Sequence, residues 1–299
     1  MTNFQRRALT ATIFVAVMLL GIFLHEGTFY LLFFTISMGC LWEYMKLMTD
    51  NNRLREVGAI IIANGLWFIY IMKDQVFDAL MNAWNLNGSI LGGSKHIIYM
   101  ILIFAFLSFL IVPFLLLIIE LFQKTDNPFQ NVAGTLLGIF YAIVPFFLLI
   151  SISKESKYSF DTFLSNQFTP NIAAGILFLT WINDTGAYLV GSRIGKTPLF
   201  PRISPKKTWE GTIGGALFCI LTGFIIHRVL GVLGLTDWLV IGAIVAIFGT
   251  LGDLIESMLK RSVGVKDSGT FMPGHGGFLD RFDAFIFAIP FVFLYLMVR

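Results

Sequence analysis

Charge is what this chain lacks most. Asp, Glu, Lys and Arg make up 13% of its 299 residues, about half of the roughly 25% typical of soluble domains. That deficit excludes an ordinary soluble domain, because apolar runs this numerous need lipid or another helix around them. Cysteine is scarce too. Cys40 and Cys219 each lie inside an apolar run, which excludes a disulfide framework and a CxxC metal pair and leaves two small buried residues as the plain reading. The four histidines are scattered and form no HExxH zinc site. No Walker A sequence occurs, so phosphate handling by a P-loop is excluded. Low-complexity tracts and clear internal repeats are missing as well.

What is present is hydrophobicity, at 57% of residues. A bilayer core of about 30 Å needs roughly 20 apolar residues per helix. Nine spans meet that pattern, near 8–24, 27–42, 57–72, 97–119, 132–152, 171–190, 212–229, 238–256 and 282–298. The expected fold is therefore all-α, a polytopic membrane protein with about nine transmembrane helices. The first two spans are separated by little more than His25 and Glu26, which predicts a tight helical hairpin. Arg6 and Arg7 before the first span resemble a signal peptide, but no small-residue cleavage site follows, so the segment reads as an uncleaved span. With the N-terminus in the cytoplasm, fifteen of the 21 basic residues fall on the inner side, beginning with Arg6, Arg7, Lys46, Arg53 and Arg55. That bias fixes the expected orientation. The longest external loops are then 73–96 and 153–170. In sequence character the chain divides into N-terminal transmembrane helices over 1–170 and a C-terminal region over 171–299 whose cytoplasmic loops are dense in charge, Gly and Pro.

Three clusters on that cytoplasmic side carry chemistry. The first runs from Trp181 through Asn183, Asp184 and Tyr188 to Arg193 and Lys196. An ionisable group inside a span is costly and points to function, although an Asp that caps or pairs locally would look the same. The second is Arg202, Ser204, Pro205, Lys206, Lys207, Thr208, Trp209, Glu210 and Gly211. It sets two cations and a helix N-terminus together, an arrangement suited to phosphate and equally to a positive-inside anchor. The third begins at Gly252 and Asp253, passes Glu256, Ser257, Lys260, Arg261, Lys266 and Asp267, and ends with Gly276, Gly277, Asp280, Arg281 and Asp283. Asp253, Glu256, Ser257 and Lys260 share one helix face by their spacing. Carboxylates from two helices are the hard ligands that Mg²⁺ takes together with substrate phosphates. Cytoplasmic ion pairs at a membrane edge would explain one such pair but poorly explain so many. The residues by themselves indicate a membrane enzyme that handles phosphates with a divalent metal, by in-line displacement at phosphorus. A cation transporter with Asp184, Asp253 and Asp280 along a path is the alternative of a different class. It lacks the paired, broken-helix repeats usual for transporters.

The run Ser257-Met-Leu-Lys260-Arg261, then Lys266-Asp267, then Pro273-Gly-His275-Gly276-Gly277-Phe-Leu-Asp280-Arg281-Phe-Asp283 resembles the signature of the phosphatidate cytidylyltransferase family. The segments Asp184-Thr-Gly-Ala-Tyr188 and Ser204-Pro-Lys-Lys-Thr-Trp-Glu-Gly211 are similar to that family too. The likeness covers about residues 180–285, and the N-terminal half shares only its hydrophobic, multi-spanning character. The resemblance implies conversion of CTP and phosphatidate to CDP-diacylglycerol and pyrophosphate. It implies Mg²⁺, room for a second, monovalent cation such as K⁺, a homodimer, membrane lipid and no nucleic acid as partners, and a place in the inner (plasma) membrane with a cytoplasmic site. Carried onto this sequence, it implies metal binding at Asp253 and Asp280. Combined with the residue pattern, the expected metal ligands are Asp253, Asp280 and Asp283, the catalytic groups Asp253, Asp280, Lys260 and Arg261, and the substrate contacts Ser204, Lys206, Lys207, Asp184, His275 and Arg281. A CTP-dependent enzyme acting on another lipid would share all of these features.

Overall fold

A computed structural model describes residues 3–49, 52–83, 111–123, 125–154, 168–271 and 276–299. The chain is helical almost throughout. In order, the helices are α1 (Asn3–Phe23), α2 (Glu26–Met48), α3 (Arg53–Ala83), α4 (Ile111–Leu121), α5 (Pro128–Lys154), α6 (Asn171–Ile194), α7 (Trp209–Leu230), α8 (Leu235–Ile244), α9 (Thr250–Ser262) and α10 (Leu279–Val298). A π-helical turn, Val245–Gly249, joins α8 to α9 without a break, so the two form one 28-residue span. Seven of the described helical segments are long and apolar enough to cross a membrane, and Leu9–Phe23 and Ile111–Leu121 are shorter apolar helices. Each of the nine expected spans has a helical counterpart. The fourth, 97–119, lies partly outside the described residues. α3 runs on to Ala83, well into the stretch expected to be an external loop from residue 73.

By packing, the chain forms two units, Met48–Phe140 on the one hand and Met1–Leu47 with Tyr141–Arg299 on the other. The division at residue 170 was one of sequence character, and packing takes a different line. In the smaller unit Arg55 Nε pairs with the buried Glu120 at 2.6 Å, and Asn52 donates from Nδ2 to Gln123 Oε1 at 2.9 Å.

The larger unit holds all three charged clusters. The expected turn between α1 and α2 is tight, with His25 Nδ1 accepting from the Gly27 amide at 2.9 Å. An aromatic core of Phe29, Phe33, Phe146, Phe282 and Phe285 fastens α2, α5 and α10. The Phe33 ring lies 5.8 Å from that of Phe146 and stacks on that of Phe285 at 6.1 Å. Helices α6 and α7 meet along a seam of small residues, as membrane helices do where backbones approach closely. A Cβ on Gly211 would come within 2.8 Å of the Ala187 carbonyl, and one on Gly215 within 2.7 Å of Asn183. The other face of α7 exposes Leu217, Leu221, Ile225 and Val229, a surface suited to lipid rather than water. At one end of this unit Asp237 accepts from Tyr295 Oη at 2.9 Å and pairs with Arg299 at 2.8 Å. The opposite end carries the site.

Between α6 and α7 the chain forms a small antiparallel hairpin, β1 (Pro198–Phe200) with β2 (Ser204–Thr208). The sequence marked this stretch only as a charged loop.

Candidate active site

Four pieces of chain converge at this end: the C-terminal turns of the α8–α9 span, the start of α10 with the segment before it, the hairpin, and the polar turn of α6. The closeness of α9 and α10 has a local cause. Gly252 presses against α10, where a Cβ would stand 2.6 Å from Phe287 Cβ and 2.7 Å from the Asp283 carbonyl. Only glycine allows that approach. It brings the two helices together at the level of Asp283 and of Asp253, the next residue, and the charge of Asp253 acts on Asp283.

The α9 face predicted from spacing is real. Ser257 Oγ is 3.3 Å from Asp253 Oδ1, and Lys260 pairs with Glu256 one turn before it. Lys260 also reaches across to α10, donating to Asp280 Oδ1 at 2.6 Å. The other Asp280 oxygen, Oδ2, accepts from the Ser268 amide at 3.0 Å, the Ser268 hydroxyl at 3.0 Å and the Gly277 amide at 2.8 Å. Asp280 is thus held on both oxygens, while Glu256 is fully buried with Lys260 as its charge partner. Burying these charges is tolerable because they are paired, and Asp280 is hydrogen-bonded as well.

The hairpin separates its two lysines. Lys207 turns inward and pairs with Asp253, whereas Lys206 is exposed. Thr208 caps α7 by accepting from the Gly211 amide at 3.2 Å. Glu210 closes the hairpin base, accepting from the Lys196 and Thr197 amides at 3.1 Å each and from the Thr197 hydroxyl at 2.8 Å.

On α6, Asn183 is buried and directs Nδ2 toward Thr250 Oγ1 at 3.4 Å, and its Oδ1 has no hydrogen-bond partner among the described residues. Asp184 is exposed and lies in the fields of Asp253, Lys207 and Arg281. Asp283 is buried and accepts from the Ala284 amide at 2.6 Å. Asp184, Asp253, Asp283, Lys207 and Arg281 therefore form one electrostatic neighbourhood, with the Lys260–Asp280 pair beside it. Not every expected residue joins it. Arg261 turns away to the Val265 carbonyl at 2.8 Å. Ser204 sits half-buried on β2, Lys206 faces out, and His275 lies outside the described residues. Among the described residues no three His, Cys, Asp or Glu side chains gather around a single point.

Two residues escaped the sequence reading. Glu43, on α2, is buried and accepts from the Phe278 and Leu279 amides, both at 2.9 Å, and from the Ser268 hydroxyl at 2.8 Å. Ser268 links it to Asp280. The signal was weak, since Glu43 lies one residue beyond the expected span 27–42, and only the extension of α2 to Met48 places it within the helix.

Residues 5–299 match the model of the cytidylyltransferase family. The chain belongs to that family. Among its relatives, a phosphatidate cytidylyltransferase of Staphylococcus saprophyticus is 32% identical over 287 residues, 95% of each chain. One of Staphylococcus epidermidis is also 32% identical, over 288 residues and 95% of each chain. One of Staphylococcus aureus is 38% identical over 186 residues, 61% of this chain and 66% of that protein. The family match reaches into the N-terminal half, well beyond the segment 180–285 that carries the recognisable motifs.

Proposed function

We propose that this member of the cytidylyltransferase family is a phosphatidate cytidylyltransferase, forming CDP-diacylglycerol and pyrophosphate from CTP and phosphatidate. The observation that carries the reading is the joining of Asp253, Lys260, Asp280 and Asp283 by the α9–α10 contact, with Lys207 brought to them by the hairpin. The names and 95% coverage of the relatives support it.

In kind the donors suit a hard divalent cation, although among the described residues no three of them gather around one point. Carboxylate oxygens dominate the set, the buried Asn183 Oδ1 has no hydrogen-bond partner among the described residues, and Mg²⁺ usually takes one or two carboxylates with substrate phosphates completing its shell. Asp253 and Asp280, with Asp283, would hold the ion, and Asp184 would serve a second, monovalent cation. When bound, the metal would supply neutralisation of phosphate charge.

The protein's own groups do the rest. A phosphate oxygen of phosphatidate attacks the α-phosphorus of CTP. A new P–O bond forms as the bond to the β-phosphate oxygen breaks, and pyrophosphate departs. A phosphate monoester is already anionic near neutral pH, so no general base is needed. Lys207 and Lys260 offer fixed positive charge, and the two helices hold the reactants in line. Arg281 and Lys206 would attract the incoming triphosphate. Arg261, turned to a carbonyl here, and Ser204 and His275 complete the proposed contacts. The N-terminus and this site face the cytoplasm of the inner membrane, and two chains form a dimer.

Incorporation of radiolabelled CTP into lipid, with purified protein, Mg²⁺ and phosphatidate in detergent micelles, tests the reaction. Transfer to an isoprenoid-ether phosphatidate or a polyprenol phosphate in preference would reassign the lipid. Ion flux with no incorporation would replace the enzyme by a transporter.

A further inference from the structure

We propose that Glu43 of α2 is a positioning residue that fixes Asp280 through Ser268 and the start of α10, so that the reaction depends on a carboxylate far from the signature in sequence. The inference rests on the cytidylyl-transfer reading. Glu43 is 1% exposed, yet among the described residues no cation pairs with it. Its charge is met by two backbone amides at the head of α10, those of Phe278 and Leu279, and by one hydroxyl. Burying an unpaired charge is costly, and a Ser, Thr, Asp or Asn at the cap would satisfy those amides more cheaply. The glycines around it show that the position is specified. A Cβ on either Gly269 or Gly277 would collide with the Glu43 carboxylate. The loop thus closes around this side chain on both sides.

Ser268 makes the connection to chemistry. Its Oγ stands 2.8 Å from Glu43 Oε2 and 3.0 Å from Asp280 Oδ2. A hydroxyl has one proton to donate, so the two carboxylates share it, and moving one alters the hold on the other. Gly277, whose amide donates to Asp280 at 2.8 Å, immediately precedes the two residues that Glu43 anchors. Losing Glu43 frees the head of α10 and shifts the Ser268 and Gly277 contacts of Asp280 together, while Lys260 still holds Oδ1.

The variants Glu43→Gln and Ser268→Ala, singly and combined, test this in full-length protein in detergent. Gln keeps the shape and one acceptor oxygen but cannot serve all three donors. The expected result is a kcat for CTP incorporation reduced about 10- to 100-fold, as is usual when a residue that orients a reacting group is lost. The KM for CTP should stay within about twofold. The double variant should be little worse than either single one, because both act through the same contact. Amide exchange in the 276–283 segment should rise in Glu43→Gln. A lowered melting temperature with kcat per folded molecule unchanged would overturn the proposal, as would multiplicative losses in the double variant. Should the wild-type protein transfer no cytidylyl group, the functional reading fails. Exchange at 276–283 still decides the structural half, and wild-type protection in Glu43→Gln would overturn it.

Discussion

Replacing Gly252 by Ala adds a single methyl group where α9 meets α10, and its effect can be worked from the contacts. The new Cβ would stand 2.7 Å from the Asp283 carbonyl and 2.6 Å from Phe287 Cβ, against an ordinary contact that begins at 3.4 Å. Neither neighbour is a flexible side-chain end, so the helices must part by about 0.7 Å at that level. The stability change is small because two effects oppose. Overpacking costs roughly 1–3 kcal/mol, while Ala in place of a helical Gly returns about 1 kcal/mol. Catalysis has no such compensation. Asp253 rides on one helix and Asp283 on the other, and a misplacement near 1 Å costs about 100-fold where reactants must be held in line. We expect Gly252→Ala to fold, to melt within a few degrees of wild type, and to lose between about 10- and 100-fold in kcat/KM for CTP incorporation. Circular dichroism melts and the radiolabel assay on one detergent preparation give both numbers. Activity within twofold of wild type would refute the claim that this contact sets the carboxylate geometry.

Other substitutions probe separate parts of the site. Asp280→Asn should abolish CDP-diacylglycerol formation while the protein still elutes as a folded species from size-exclusion chromatography. Lys207→Ala should lower kcat/KM at least about tenfold by unpairing Asp253, whereas the exposed Lys206→Ala should cost only a few-fold, and less at high salt. Lys260→Met leaves Glu256 and Asp280 buried without their shared cation and should destabilise by about 3–5 kcal/mol, read by thermal melting, with Glu256→Gln in the same chain restoring part of the loss. Chelation with EDTA should stop turnover, and Mg²⁺ should restore it.

The sequence revealed the spans because lipid demands long apolar helices, and it revealed Asp184, Asp253 and Asp280 because charge is conspicuous among them. What it could not show is partnership across distance. Lys206 and Lys207 look alike in sequence, and only the fold of the hairpin sends one inward. Arg261, adjacent to Lys260, faces away because the helix ends there and its guanidinium finds the Val265 carbonyl. Glu43 lies 225 residues from Ser268, too far for any local pattern to connect them. The extension of α3 to Ala83 was not legible, because Lys73 and Asp74 interrupt the apolar run.

The π-helical turn Val245–Gly249 bears on how this span tolerates change. A π turn amounts to one residue inserted into an α-helix, and each inserted residue rotates the remainder of the helix by about 100°. Asp253, Glu256 and Lys260 all owe their heading to that extra residue. Deleting a single residue there would relax the turn to α-helix and swing the carboxylate face away from its partners on α10. The segment should therefore be strict in length.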